Sequence, residues 1–87
     1  MILLSGSRFI NTSKAAYVSA LDNGPSTTTI FAIAGGDRSI EMDVNHPSAL
    51  PKDLVERRRS LAAVIAKDAG SMDAYEVTSD LTLRMLP

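Results

Sequence analysis

The residues best suited to chemistry fall in two short runs. The first is Asp37, Glu41, Asp43 and Asn45, spaced four, two and two apart. On an extended strand that spacing sends all of them to one side. Three carboxylates, Asp37, Glu41 and Asp43, can there hold a hard cation such as Mg²⁺ or Ca²⁺, the basis of a metal-dependent hydrolase. The same acids also serve as a solvated edge that repels wrong strand pairing, and no calcium-loop spacing surrounds them. The second run is Arg57-Arg58-Arg59. Successive helical residues point about 100° apart, so the three do not make one flat patch. Arg59 falls on the wet side and can pair with Glu56, while Arg57 can reach Asp53 four residues earlier. Arg58 points between Ala62 and Ile65, inside the apolar arc. Its stem either crosses the sheet so that its head escapes at an edge, or it faces a partner together with Arg57, Leu50 and Leu54. A nucleic-acid reading adds Arg8, Lys14 and Arg38 to the three helix arginines as phosphate contacts.

His46 is the only histidine, so a histidine pair or cluster is excluded. It can act as a single general base near Asp43 or Asp22, although a polar loop residue before a proline is the plainer reading. Gly35-Gly36 lacks the downstream lysine and helix of a phosphate loop, and no Gly-x-Ser-x-Gly elbow is present. There is no cysteine for a thiolate site or a disulfide. No catalytic residue and no cofactor are assigned, and the expectation is a protein that is not an enzyme.

These side chains must be carried by ordered elements. Thr27 to Val44 reads as a β-hairpin. Its first arm is β-branched and aromatic, its second alternates Ile40, Met42 and Val44 against Ser39, Glu41 and Asp43, and Gly35-Gly36-Asp37 makes the turn. A two-residue turn puts Phe31 and Ile33 on the face of Ile40 and Met42; a three-residue loop puts Ile30 and Ala32 there instead. The first is expected because it buries larger side chains. Ahead of the hairpin, Ile2–Leu4, Arg8–Thr12 and Ala15–Leu21 read as strands. After it, Pro51 suits the first helical position and Gly70 the residue past the helix end. Leu54, Leu61, Val64 and Ile65 share one helix face, flanked by Val55, Ala62, Ala66 and Ala69. Tyr75 to Leu86 alternates as a last strand, with Ser79-Asp80 read as a bulge or bend that splits it. The expected fold is α+β, with an antiparallel sheet of four to six strands and one helix packed on it, in the order β-β-β-β-β-α-β. One domain accounts for all 87 residues.

Hydrophobic content of 45% with a net charge of −1 fits a folded protein with no global attraction to nucleic acid or anionic lipid. No apolar run reaches the ~18–20 residues of a membrane span, and a cytoplasmic location is expected. A domain this small has a thin core, which dimerisation through a sheet edge or helix face would supplement.

Phe9-Ile10-Asn11-Thr12-Ser13-Lys14-Ala15-Ala16-Tyr17-Val18, followed by Thr29 to Glu41 around Gly35-Gly36-Asp37, resembles the FlbD-type flagellar and swarming proteins. More loosely, it resembles the LytTR DNA-binding domains. The likeness covers residues 8–66 and implies a small bacterial or phage α+β module without catalysis. It transfers no functional residue, and this chain continues into Tyr75–Leu86 where FlbD-type chains end. Three functions are therefore weighed. One is a protein-binding regulatory module acting through a helix face or sheet edge, for example a phage- or mobile-element-encoded inhibitor of a host complex, and a dimer in some forms. The others are a DNA-binding regulator and a metal-dependent hydrolase.

Overall fold

A computed structural model describes residues 1–34, 39–47 and 54–87 of the chain. The turn at Gly35-Gly36-Asp37 lies outside the described residues, with Arg38, Leu50, Pro51 and Asp53. The elements are β1 (Ile2–Ser5), β2 (Arg8–Asn11), β3 (Ala15–Asp22), β4 (Thr27–Ala34), β5 (Ser39–Asn45), α1 (Leu54–Lys67), β6 (Ala74–Val77) and β7 (Leu83–Met85). The fold is α+β, in the expected order, with the closing strand divided in two.

The strands form two sheets where one of four to six strands was expected: β2-β1-β6-β7 and β3-β4-β5. The division follows from β1, which pairs antiparallel with β2 and parallel with β6, Leu3 facing Ile10 and Tyr75. β1 has neighbours on both sides, and its apolar run Ile2-Leu3-Leu4 buries Leu3 on the core face and leaves Ile2 and Leu4 partly buried on the other. Gly6 makes the β1–β2 turn possible, with φ +60 at the first of two loop positions. A Cβ there would meet nothing within 4 Å, so the penalty for Gly6→Ala is purely backbone. It should destabilise by about 1–2 kcal/mol in urea unfolding.

The hairpin register corrects the sequence reading. Ile30 faces Met42 and Ala32 faces Ile40, whereas Phe31 faces Glu41 and Ile33 faces Ser39. The inward row of β4 is therefore Thr28, Ile30 and Ala32, each fully buried. Side-chain size was the wrong criterion. β4 carries apolar residues on both faces, so hydrophobicity alone does not choose between them.

The inward rows of both sheets close on α1 around Leu3, Ile10, Val18, Ile30, Met42, Val44, Leu61, Ile65, Val77 and Leu81. The helix lies alongside β3 and buries Arg58, Leu61 and Ile65, with Leu54 partly buried against the core. Val64 and Val55, expected on or beside this stripe, are 47% and 62% exposed. The helix ends at Lys67, and Gly70 does not take the positive φ expected of a helix-terminating glycine. The helix end is instead tied to β1: the Met1 amino nitrogen donates to Ala69 O at 2.7 Å, and the buried Thr12 hydroxyl lies 3.2 Å from the same oxygen.

Between β6 and β7 the chain turns on Thr78–Thr82. Leu81 has φ 62, unusual for a residue with a side chain. It is held there because its side chain is 2% exposed in the core while Leu81 N donates to Thr78 O at 3.0 Å. Arg57 Nη1 donates to Asp80 O at 3.0 Å and so fastens this turn to the helix.

Candidate functional site

Arg58 falls inside the apolar arc of α1, the strongest irregularity in the sequence. The arc is real, and the side chain is 6% exposed. Its Nε donates to Thr28 Oγ1 at 2.8 Å, and Nη2 donates to Gly24 O and Thr27 O, both at 3.1 Å. Nη1 lies 3.5 Å from the carboxylate of Asp22, which is itself 76% exposed. The stem crosses the inner side of β4, and the head ends on the β3–β4 loop.

The chain of bonds continues. Thr28 Oγ1 is 2.9 Å from His46 Nε2, and His46 Nδ1 is 3.2 Å from Pro47 O. A carbonyl can only accept, so Nδ1 carries a proton, and in the neutral imidazole Nε2 then accepts the Thr28 hydroxyl proton. Arg58 thus donates to Thr28, Thr28 to His46, and His46 to Pro47. His46 lies past the end of β5, in the loop before Pro47 as the sequence suggests, and is nevertheless 6% exposed. Its parity gives the reason, since it extends the inward row Met42, Val44. Both ring nitrogens are engaged without a carboxylate, so neither expected partner, Asp43 or Asp22, makes it a general base.

The other candidates are dispersed. Arg57 is bonded to the Asp80 carbonyl; its expected partner Asp53 lies outside the described residues. Glu56 and Arg59 are both exposed and, among the described residues, form no ion pair. An exposed pair of this kind contributes little. Arg59 lines a groove with Ala20, Asp22 and Val55, whereas Arg8 lines a different cleft with Asp43 and Asn45. Each of these arginines has an aspartate in its own cleft. Lys14 is exposed in the β2–β3 turn, and Arg38 lies outside the described residues. Glu41 and Asp43 are exposed on β5, as the alternation required, but Asp37 lies outside the described residues. Among those that are described, no three acidic or histidine side chains come together as a metal site. Leu54 is half-buried against the core, and Leu50 is not described. Desolvation, reinforced by the carboxylates of Asp73 and Asp68, raises the Tyr75 phenol above its ordinary value.

The surface that the sequence reading missed is the outer face of β3-β4-β5. Tyr17 stands opposite Ile33, Ser19 opposite Phe31, and Leu21 opposite Thr29. Tyr17 is 57% and Leu21 47% exposed, with Phe31 and Ile33 half-buried between them. Direct and diagonal neighbours across strands touch, so the four make one continuous apolar band. Along β5 the band is bordered by Glu41 beside Phe31 and Asp43 beside Thr29. The Thr29 hydroxyl donates to Asp43 Oδ1 at 2.7 Å. Every charged side chain described on this face is acidic. The helix and the Arg58 bonds sit on the opposite side and hold the sheet behind it. The sign was present in the sequence: a strand with two apolar parities, Ile30/Ala32 and Phe31/Ile33, needs cover on both faces, and one helix covers one.

No family model matches the chain, and neither a curated protein nor a solved structure matches it. No helix among the described residues is long and apolar enough to cross a membrane.

Proposed function

We propose that the chain is a non-enzymatic protein-binding module of regulatory type, and that its docking surface is the outer face of β3-β4-β5. The observation that carries this reading is the band of Tyr17, Leu21, Phe31 and Ile33, half-open to solvent and rimmed by Glu41 and Asp43. A contiguous apolar patch with a polar rim is characteristic of interaction sites, and aromatic residues are enriched at their centres. The acidic rim selects the partner's chemistry: a segment with apolar side chains on one side and lysine or arginine beside them. An inhibitor of a host complex encoded by a phage or mobile element is one form such a module takes.

The surface therefore moves from the helix face around Arg58 to the sheet behind which Arg58 is bound. Site-specific photo-crosslinking in cells that carry the protein tests this. A benzophenone side chain at position 17 or 21 should give one discrete product with another protein. The same group at Met72, which is 99% exposed and away from the sheet face, should give none. Equal products from all three positions, or none from position 17, would count against the assignment.

A further inference from the structure

A second feature lies at the β1–β2 turn, where the two sheets part. The inward row of β1 runs from Leu3 to Ser5, and that of β2 from Ile10 to Arg8. Both rows are apolar in the core and turn polar at the hairpin end. There they open into a cleft of about 460 Å³ lined by Ser5, Ser7, Arg8, Asp43, Asn45 and Val77. That volume falls within the ~300–1,000 Å³ of small-molecule sites.

The polar groups are of opposite kinds and partly fixed. The Arg8 guanidinium makes no hydrogen bond or ion pair among the described residues. Asp43 is held by the Thr29 hydroxyl through Oδ1, at 2.7 Å, which leaves its second oxygen. Asn45 Oδ1 accepts from the Thr27 hydroxyl at 3.3 Å, which leaves the amide NH₂ as a donor. The β1–β2 hairpin thus offers a guanidinium and two serine hydroxyls, and β5 offers a carboxylate with an amide two residues along. An isolated phosphate would suit the hairpin but meet the Asp43 charge. We infer that the cleft binds a small zwitterion, with a carboxylate on Arg8 and Asn45 and an ammonium on Asp43, as in a free amino acid or a short peptide with both termini.

The test is an amide NMR titration of the full chain with L-alanyl-L-alanine. Saturable shifts are expected over residues 5–8 and 43–45. Acetylating the dipeptide's amino group, or substituting Arg8→Gln, should each weaken binding roughly tenfold or more, because each removes a charge-assisted bond. Arg8 is exposed, so its variant should keep the parent melting temperature. Four results would overturn the proposal: no saturable shift in the cleft, unchanged affinity in Arg8→Gln, unchanged affinity for the acetylated dipeptide, or inorganic phosphate binding as tightly as the dipeptide.

Discussion

Leu61→Asp should abolish cooperative unfolding. Leu61 is 2% exposed and stands where α1 meets both sheets, in contact with the shared core. Losing its burial removes roughly 1.5–3 kcal/mol. Placing a carboxyl group there without a hydrogen-bond partner costs several kcal/mol more, whether it ionises or stays protonated. The stability of a domain this long is roughly 4–13 kcal/mol, at 0.05–0.15 kcal/mol per residue. The two penalties consume most or all of it. A flat thermal trace by near-ultraviolet circular dichroism is the expected result, and a native-like melt would remove α1 from the core assignment. Val64→Asp is the control: Val64 is 47% exposed on the same helix, and its variant should melt close to the parent.

Thr28→Val has the second-largest expected effect, though it changes neither shape nor β-branching. The hydroxyl is the central link between Arg58 Nε and His46 Nε2, at 2.8 and 2.9 Å. Without it, a buried donor on a charged group and a buried acceptor both lose their partners. At about 1–3 kcal/mol for each of the two unsatisfied groups, the variant should lose roughly 2–6 kcal/mol in urea unfolding. Arg58→Met added to Thr28→Val should cost less than the sum of the two single changes, because it removes one of the orphaned groups. Asp22→Asn should stay within about 1 kcal/mol of the parent, since that carboxylate is 76% exposed and solvent screens the pair. A Thr28→Val loss below about 0.5 kcal/mol, the range of ordinary surface changes, would mean that the hydroxyl link contributes nothing to stability.

Much of this architecture was legible in the residues. Alternation located β5 and the closing strand, the Ser79-Asp80 bend divided the latter, and helical periodicity put Arg58 among Ala62 and Ile65. Three things were not legible, for physical reasons. β4 is apolar on both parities, so register depended on packing that a strand pattern does not contain. The parallel pairing of β1 with β6 joins residues some seventy positions apart, which no local pattern encodes. Thr28 and His46 are ordinary polar residues until Arg58 arrives from the helix to satisfy them. The mistaken register also concealed the site. Assigning Phe31 and Ile33 to the core turns only the smaller Ile30 and Ala32 outward, with no aromatic side chain on that face of β4. With the register as it is, those same side chains supply the exposed band, and the arginine supplies its support.

The central claim is that the outer face of β3-β4-β5 accepts a basic, apolar segment. An amide NMR titration with a short peptide alternating lysine and leucine tests it directly, alongside a counterpart in which glutamate replaces lysine. The lysine peptide should bind saturably, with shifts centred on Tyr17, Leu21, Phe31 and Glu41, and more weakly as salt rises. Tyr17→Ser should remove that binding without moving the melting temperature. Equal binding of the glutamate peptide, or shifts that fall on α1 and spare the sheet, would contradict the account.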